Sequence, residues 1–264
     1  MHVSMVALAL WSTLSSFSTG INVNQSYYSR SWQGGDAGAI SWTAYLDLGI
    51  KKDISKNVVL TNALSLAFGQ TYSQDPETGK WHPPVKSSDK IEDEAVVKLI
   101  KGWPVDPFFS ARVLTQFYDR DDTLFLNPAT FFQSLGAARR LCSSGDSTSV
   151  DMRLGVSFKE MMDRADTARM PVDGGIELAS FVNWKLSDNI TYHGKLRIFK
   201  ALYSFNPPDN DNWKAPDVNL ENSIEISVTK LIRIKIYAQW FYDREQTDRV
   251  QFRENLALSI GYSI

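Results

Sequence analysis

The chain has 264 residues, with 28 Lys plus Arg against 30 Asp plus Glu, a formal net charge of −2, 43% hydrophobic residues and one cysteine. A pI near 6.0 and the lack of any block of like charge exclude a nucleic-acid binder, and one thiol excludes an internal disulfide. No apolar run of roughly 18 residues offers a spanning helix; a mean hydropathy of −0.25 still allows spanning strands, which hide every second residue from lipid.

The first residues, MHVSMVALALWSTLSS, carry a short apolar patch from Val6 to Trp11 but neither a basic n-region nor an A-x-A cleavage site followed by a plausible mature start. Residues 1–9 read as a leader remnant or disordered N-terminus, and 10–264 as one barrel domain. From there period-2 alternation takes over, the mark of strands with two unlike faces. A first strand runs from Leu10 to Gln25, and a second from Ile40 to Ile50, where Trp42, Leu46 and Leu48 oppose Thr43, Tyr45 and Asp47. Val58–Phe68 follows; then Lys90–Lys101 sets Ile91, Val97 and Leu99 against Glu92, Glu94 and Lys98. Phe109–Phe117 places Arg112 opposite Val113, and a weaker strand lies around Thr130–Ala138. Cys142 falls in the turn-like RRLCSSGDS and reads as an incidental thiol.

Val150–Lys159 sets Asp151, Arg153 and Lys159 against aliphatic residues. Ile176–Leu186, ending near Trp184, and Ile190–Leu202, with Lys195 and Arg197, join through the tight turn Ser187–Asn189. Val218–Val228 carries Glu221 and Glu225 on its polar face. In the next strand, IRIKIYAQWFYD, Arg233 and Lys235 alternate with isoleucines before Trp240 and Tyr242. Val250–Ile264, with Arg253 and Tyr262, closes the series at about twelve strands, an even number as in bacterial outer-membrane barrels. Long polar connections follow the odd strands and short ones follow most even strands, which puts all long loops on one rim of an up-and-down meander.

Two architectures fit that rhythm. In a soluble barrel the apolar face is the core; in a membrane barrel it faces lipid. Strands near the 9–11 residues a tilted span needs, small residues on the polar face, and aromatics at the ends of the apolar face all favour the membrane. The expected class is therefore all-β, an antiparallel up-and-down transmembrane β-barrel of the bacterial outer membrane. Trp11, Trp42, Trp184, Trp240, Tyr242 and Tyr262 are its expected interfacial aromatics. Asn62, Asp93, Asn222 and Glu254 fit poorly, since they share the lipid-facing parity; a shifted register or a bulge is the expected reason for the two asparagines.

Several motifs resemble those of a family of uncharacterised outer-membrane barrels of Bacteroidetes-type bacteria, named only as a domain of unknown function. They are Trp32, Gly34 and Gly35 in SRSWQGGDAGAISW, SSDKIED from Ser87 to Asp93, LTQF ending at Phe117, and LNPATFFQSLG from Leu126 to Gly136. The resemblance covers about residues 20 to 140. It implies a barrel and an envelope location, and no activity.

No catalytic residue, cofactor or metal site is expected. His193 shares the lumen side with Lys195 and Arg197, away from lipid substrate, and no His, Cys or carboxylate spacing suggests zinc. The acids of NPPDNDNWKAPD and DRDD read as solvated loop groups rather than Ca²⁺ ligands. The expected pore lining is Asp47, Glu92, Glu94, Arg112, Arg153, Lys195, Arg197, Glu221, Glu225, Arg233, Lys235 and Arg253. Opposite charges on neighbouring strands either fill a narrow barrel or select small polar solutes. The expected partners are outer-membrane lipid, with small polar solutes or another envelope protein; the expected function is a narrow channel, or alternatively a plugged, partner-docking barrel.

Overall fold

The computed structural model describes residues 14–26, 37–75, 77–119, 123–144, 148–165, 170–207 and 210–263. Twelve strands follow one another: β1 (Leu14–Ser26), β2 (Ala39–Ser55), β3 (Val58–Ser73), β4 (Val85–Leu99), β5 (Asp106–Thr115) and β6 (Ala129–Ser144), then β7 (Thr148–Met162), β8 (Val172–Lys185), β9 (Ile190–Phe205), β10 (Pro216–Ser227), β11 (Ile232–Tyr242) and β12 (Gln251–Ser263). Each pairs antiparallel with its chain neighbours, and β1 pairs with β12, so the sheet is a closed barrel. Closure satisfies every ladder internally, as a sheet surrounded by hydrocarbon requires.

The alternation is the one read from the sequence. In β11, Ile232, Ile236 and Trp240 are exposed, whereas Arg233 is 5% exposed. Ser157 and Ser259 are buried on the inner face while Leu154, Val156, Leu258 and Ile260 are exposed on the outer one. An apolar exterior around a polar interior inverts the order of a soluble protein. Long connections all lie on one rim, and the short links at 56–57, 100–105, 186–189 and 228–231 lie on the other.

Three expectations need correction. Strand β6 is a full 16 residues rather than a weak segment, and Cys142 lies in its exposed end, paired with Val150 beyond a bulge at Arg140/Cys142. The β5 strand ends at Thr115, so Phe117 belongs to the following loop. No bulge explains Asn62 or Asn222, because the register runs unbroken through both. They are instead paired on the outer face: the Asn62 amide donates to Asp93 at 2.8 Å, and the Tyr192 hydroxyl donates to Asn222 at 2.6 Å. Gly194 makes the second pair possible, since a Cβ there would sit 2.8 Å from the Tyr192 hydroxyl. Glu254 is exposed. The apolar patch, Trp11, and the Trp32, Gly34 and Gly35 motif lie outside the described residues, as does the side chain of Tyr262.

The seam of β1 with β12 is short, Ser18–Val23 against Leu258–Ser263, and places Gly20 directly opposite Gly261. A Cβ on Gly20 would lie 2.6 Å from the Ile260 carbonyl oxygen and 2.9 Å from the Gly261 Cα, so the backbones meet where no side chain fits. Overpacking of this kind costs about 1–3 kcal/mol. Gly20→Val should therefore lower the urea midpoint of the barrel in lipid vesicles, read by tryptophan fluorescence. In the same assay Asn62→Leu alone should destabilise by about 1–3 kcal/mol by stranding Asp93, while Asn62→Leu with Asp93→Leu should be as stable as the parent.

Candidate functional site

Charged residues on the inner face meet across the barrel rather than only between adjacent strands. Glu92 and Glu94 project from β4, and Lys195 and Arg197 from β9, five steps away around the ring. Lys195 Nζ lies 2.7 Å from Glu92, and Arg197 Nη2 lies 2.7 Å from Glu94. These contacts form a bar that crosses the interior and divides it into a four-strand side, β5–β8, and a six-strand side, β10–β12 and β1–β3.

The four-strand side is filled. Arg112 pairs with Glu177 at 2.9 Å, Arg153 with Glu94 at 2.9 Å, and Arg197 reaches Glu177 at 3.4 Å. Ser134 donates to the other Glu177 oxygen at 2.5 Å. Between these ions stand aromatic rings: the Arg112 guanidinium lies 4.1 Å from the Phe132 centroid, and that of Arg153 lies 4.7 Å from Phe181. Phe108 packs with Val96 and Ala138, and Phe199 with Phe132 and Ala201. Such rings shed water while their faces attract the guanidinium groups, so this half is a mixed ionic and aromatic core.

Loops cover that core at the long-loop rim. Trp213, in the single 3-10 turn Asn212–Lys214, packs against the Phe132 and Phe199 cluster. From the connection after β11, Glu245 reaches Lys159 Nζ at 2.9 Å; Asp217 binds the same ammonium at 2.8 Å. Asp217, Asp243 and Glu245 are close enough together to hold a cation, and the Lys159 ammonium already supplies one to two of them. A small cavity of about 120 Å³ remains beneath, bordered by Leu114, Phe132, Phe199 and Gln246.

The six-strand side is open. A cavity of about 430 Å³ borders Asn22, Thr43, Thr71 and Arg253, towards the long loops. Another of about 630 Å³ borders Ser16, Ser149, Asn183 and His193, towards the short turns, where it passes beneath the bar and reaches β7 and β8 as well. Both are lined by Asp47, Ser65, Lys90, Glu221, Lys235 and Tyr237, so they adjoin at mid-barrel. Apart from the charges, the β1–β3 wall presents hydroxyls and amides. On the opposite wall Tyr237 donates to Glu221 at 3.0 Å, Arg253 donates to Gln239 at 3.0 Å, and Arg233 lies 3.7 Å from Glu225.

At the outer surface Trp42 stacks near Phe68, and Trp240 near Phe252, close to the long-loop rim. Trp184 is exposed near the short turns, and Tyr242 ends β11. Loop acids are used locally. Asp75 accepts from the backbone N–H and the hydroxyl of Thr78, which hold its carboxyl below the usual carboxylate range, the backbone bond foremost. Asp119 accepts in the same way from Thr123.

The motifs quoted above also meet in space. Asp89 of SSDKIED accepts from the Phe117 backbone N–H at 2.6 Å and pairs with Lys86 at 2.9 Å, anchoring the loop after β5. Asn127 of LNPATFFQSLG donates to Asp163 at 2.9 Å and accepts from the Arg164 N–H, joining that loop to the one after β7. The interior aromatics Phe108, Phe132, Phe181 and Phe199 were not singled out by sequence reasoning. Their signal was parity, for Phe108 and Phe199 stand in step with Arg112 and Arg197.

A closed antiparallel sheet with an even number of strands, a lipid-compatible exterior and an ion-paired interior is a transmembrane β-barrel of the bacterial outer membrane. Several solved outer-membrane proteins align with the chain at low identity. An outer-membrane channel from Pseudomonas putida F1 aligns at a TM-score of 0.46 and 14% identity, covering 95% of this chain and 94% of its own. The NanC porin aligns at 0.44 and 9%, covering 92% and 98%. The translocator domain of the autotransporter NalP from Neisseria meningitidis aligns at 0.38 and 11%, covering 99% and 95%. No family model matches the chain, and no curated protein matches it in sequence.

Removing Arg197 takes from Glu94 one of its two guanidinium partners, leaving Arg153, and weakens the hold on Glu92 and Glu177. A buried pair broken from one side typically loses about 3–5 kcal/mol. Arg197→Met should lower the unfolding free energy in vesicles by that order, and adding Glu94→Gln should recover part of the loss in a double-mutant cycle.

Proposed function

We propose that this protein is a narrow outer-membrane channel for small hydrophilic solutes, with its path along the six-strand side of the lumen towards the long loops and widening to reach β7 and β8 towards the short turns. The observation that supports this reading is the adjoining pair of wide, polar cavities, one towards each rim. Rings of charged side chains in such a path select solutes by sign and size. Asp47, Glu221, Lys235 and Arg253 border it; Glu92 and Lys195 form its inner wall; Glu94, Arg197, Arg112 and Arg153 brace that wall from behind. Glu225 and Arg233 continue the same inward parity on β10 and β11.

In this reading residues 10–264 act as one domain, with long loops outside the cell and short turns in the periplasm. The interfacial aromatics hold it at the depth where its apolar band meets hydrocarbon. The role is not enzymatic, since His193 faces the interior, away from lipid. The motifs shared with the Bacteroidetes-type family support placing the chain beside that group.

A second reading, a plugged barrel that docks another envelope protein, draws on the filled half of the lumen and on Trp213 and Glu245 folding over it. Planar-bilayer recording separates the two. A channel gives steady single-channel current, and Arg233→Gln with Lys235→Gln shifts the reversal potential in a KCl gradient towards cation preference. Silence from properly folded protein would favour the docking barrel.

A further inference from the structure

Most interior charges are neutralised at close range, but among the described residues Asp47, Lys235 and Arg253, which border the open path, have no ion-pair partner; Arg253 donates to the Gln239 amide and borders only the cavity towards the long loops. Asp47 on β2 accepts a hydrogen bond from Ser65 at 2.6 Å, and among the described residues no lysine or arginine lies within 4.0 Å of its carboxylate. Lys235 on β11 has no carboxylate within that distance either. Its neighbour across the strand pair, Glu225, lies 3.7 Å from Arg233 instead. By contrast, the Lys90 and Lys195 ammonium groups both rest on Glu92, at 2.8 and 2.7 Å.

Asp47 and Lys235 share one place in the path. Both border both cavities, at the level where the cavities adjoin. The Lys235 ammonium lies 5.9 Å from the ring of Tyr45, the inward neighbour of Asp47 on the same strand, so it leans towards the wall that carries the acid. An anion on one wall and a cation on the other, lining the same two cavities and not paired with each other within 4.0 Å, leave a gap with a fixed polarity.

Resting on the channel reading, we infer that Asp47 and Lys235 together form a selective station for small zwitterions of the α-amino-acid type. A solute with an ammonium and a carboxylate a few bonds apart can present the first to Asp47 and the second to Lys235. A simple anion gains Lys235 but meets Asp47, and a simple cation gains Asp47 but meets Lys235. A neutral polar solute gains neither charge contact. Ser65 and Tyr237 border the same level; their protons go to Asp47 and Glu221, and their oxygens can accept from the ammonium end of a solute.

Liposome swelling with the full chain tests this through two isomers of equal mass, glycine and the uncharged glycolamide, with the ratio of their entry rates as the readout. Wild type should admit glycine about fivefold faster, the factor for one added unit-charge contact at roughly 4 Å and bulk dielectric. Asp47→Asn and Lys235→Gln should each bring the ratio close to one. The exchange Asp47→Lys with Lys235→Asp should restore it, since only the polarity of the gap reverses. Heat-modifiable migration on gels checks that each variant is folded. Equal entry of the two isomers into wild-type liposomes, or a preference that survives both single changes, overturns the station while the channel stands. Entry of neither isomer overturns the channel as well.

Discussion

A charge withdrawn from water must find an opposite charge, and that constraint organises this barrel. Hydrocarbon outside forces polar groups inward, and a ring of twelve strands is narrow enough for Glu92 and Glu94 to meet Lys195 and Arg197 across it. The resulting bar makes the interior lopsided. On one side arginines, carboxylates and phenyl rings pack into a solid brace; on the other the walls stand apart and enclose polar space.

This asymmetry bears on an old ambiguity of barrel size. Eight strands leave room for side chains and sixteen leave a water-filled channel, with twelve between them. Here the intermediate case is resolved by division: part of the cross-section is packed as in a small barrel, and part is left open as in a larger one. The loops follow the same division, for Trp213 and Glu245 both settle over the packed side.

The outer surface obeys the same rule in a weaker field. Asn62 with Asp93, and Tyr192 with Asn222, satisfy each other where lipid offers no partner. Each pair bridges adjacent strands, so the polar groups are absorbed without disturbing the register. The Gly20 and Gly261 contact shows the complementary constraint on the inner face, where the closing strands approach too closely for any side chain.

Period-2 alternation in the sequence was enough to define twelve strands, their order and which face each side chain takes, because a strand's two faces are set locally by the backbone. It placed Arg233, Lys235 and Glu225 on one parity and the isoleucines of β11 on the other. It misjudged the ends of several strands, among them β2, which runs on to Ser55, β4, which begins at Val85, and β5 and β6, because pairing with neighbours, rather than local pattern, decides how far a strand runs. Which charges meet was beyond it: Glu94 and Arg197 are 103 residues apart in the chain, and only the curvature of the closed sheet brings β4 opposite β9. The aromatic brace, the polar cavities beside it and the unjoined pair Asp47 and Lys235 follow from that closure, since distances across a lumen depend on how the whole sheet curls.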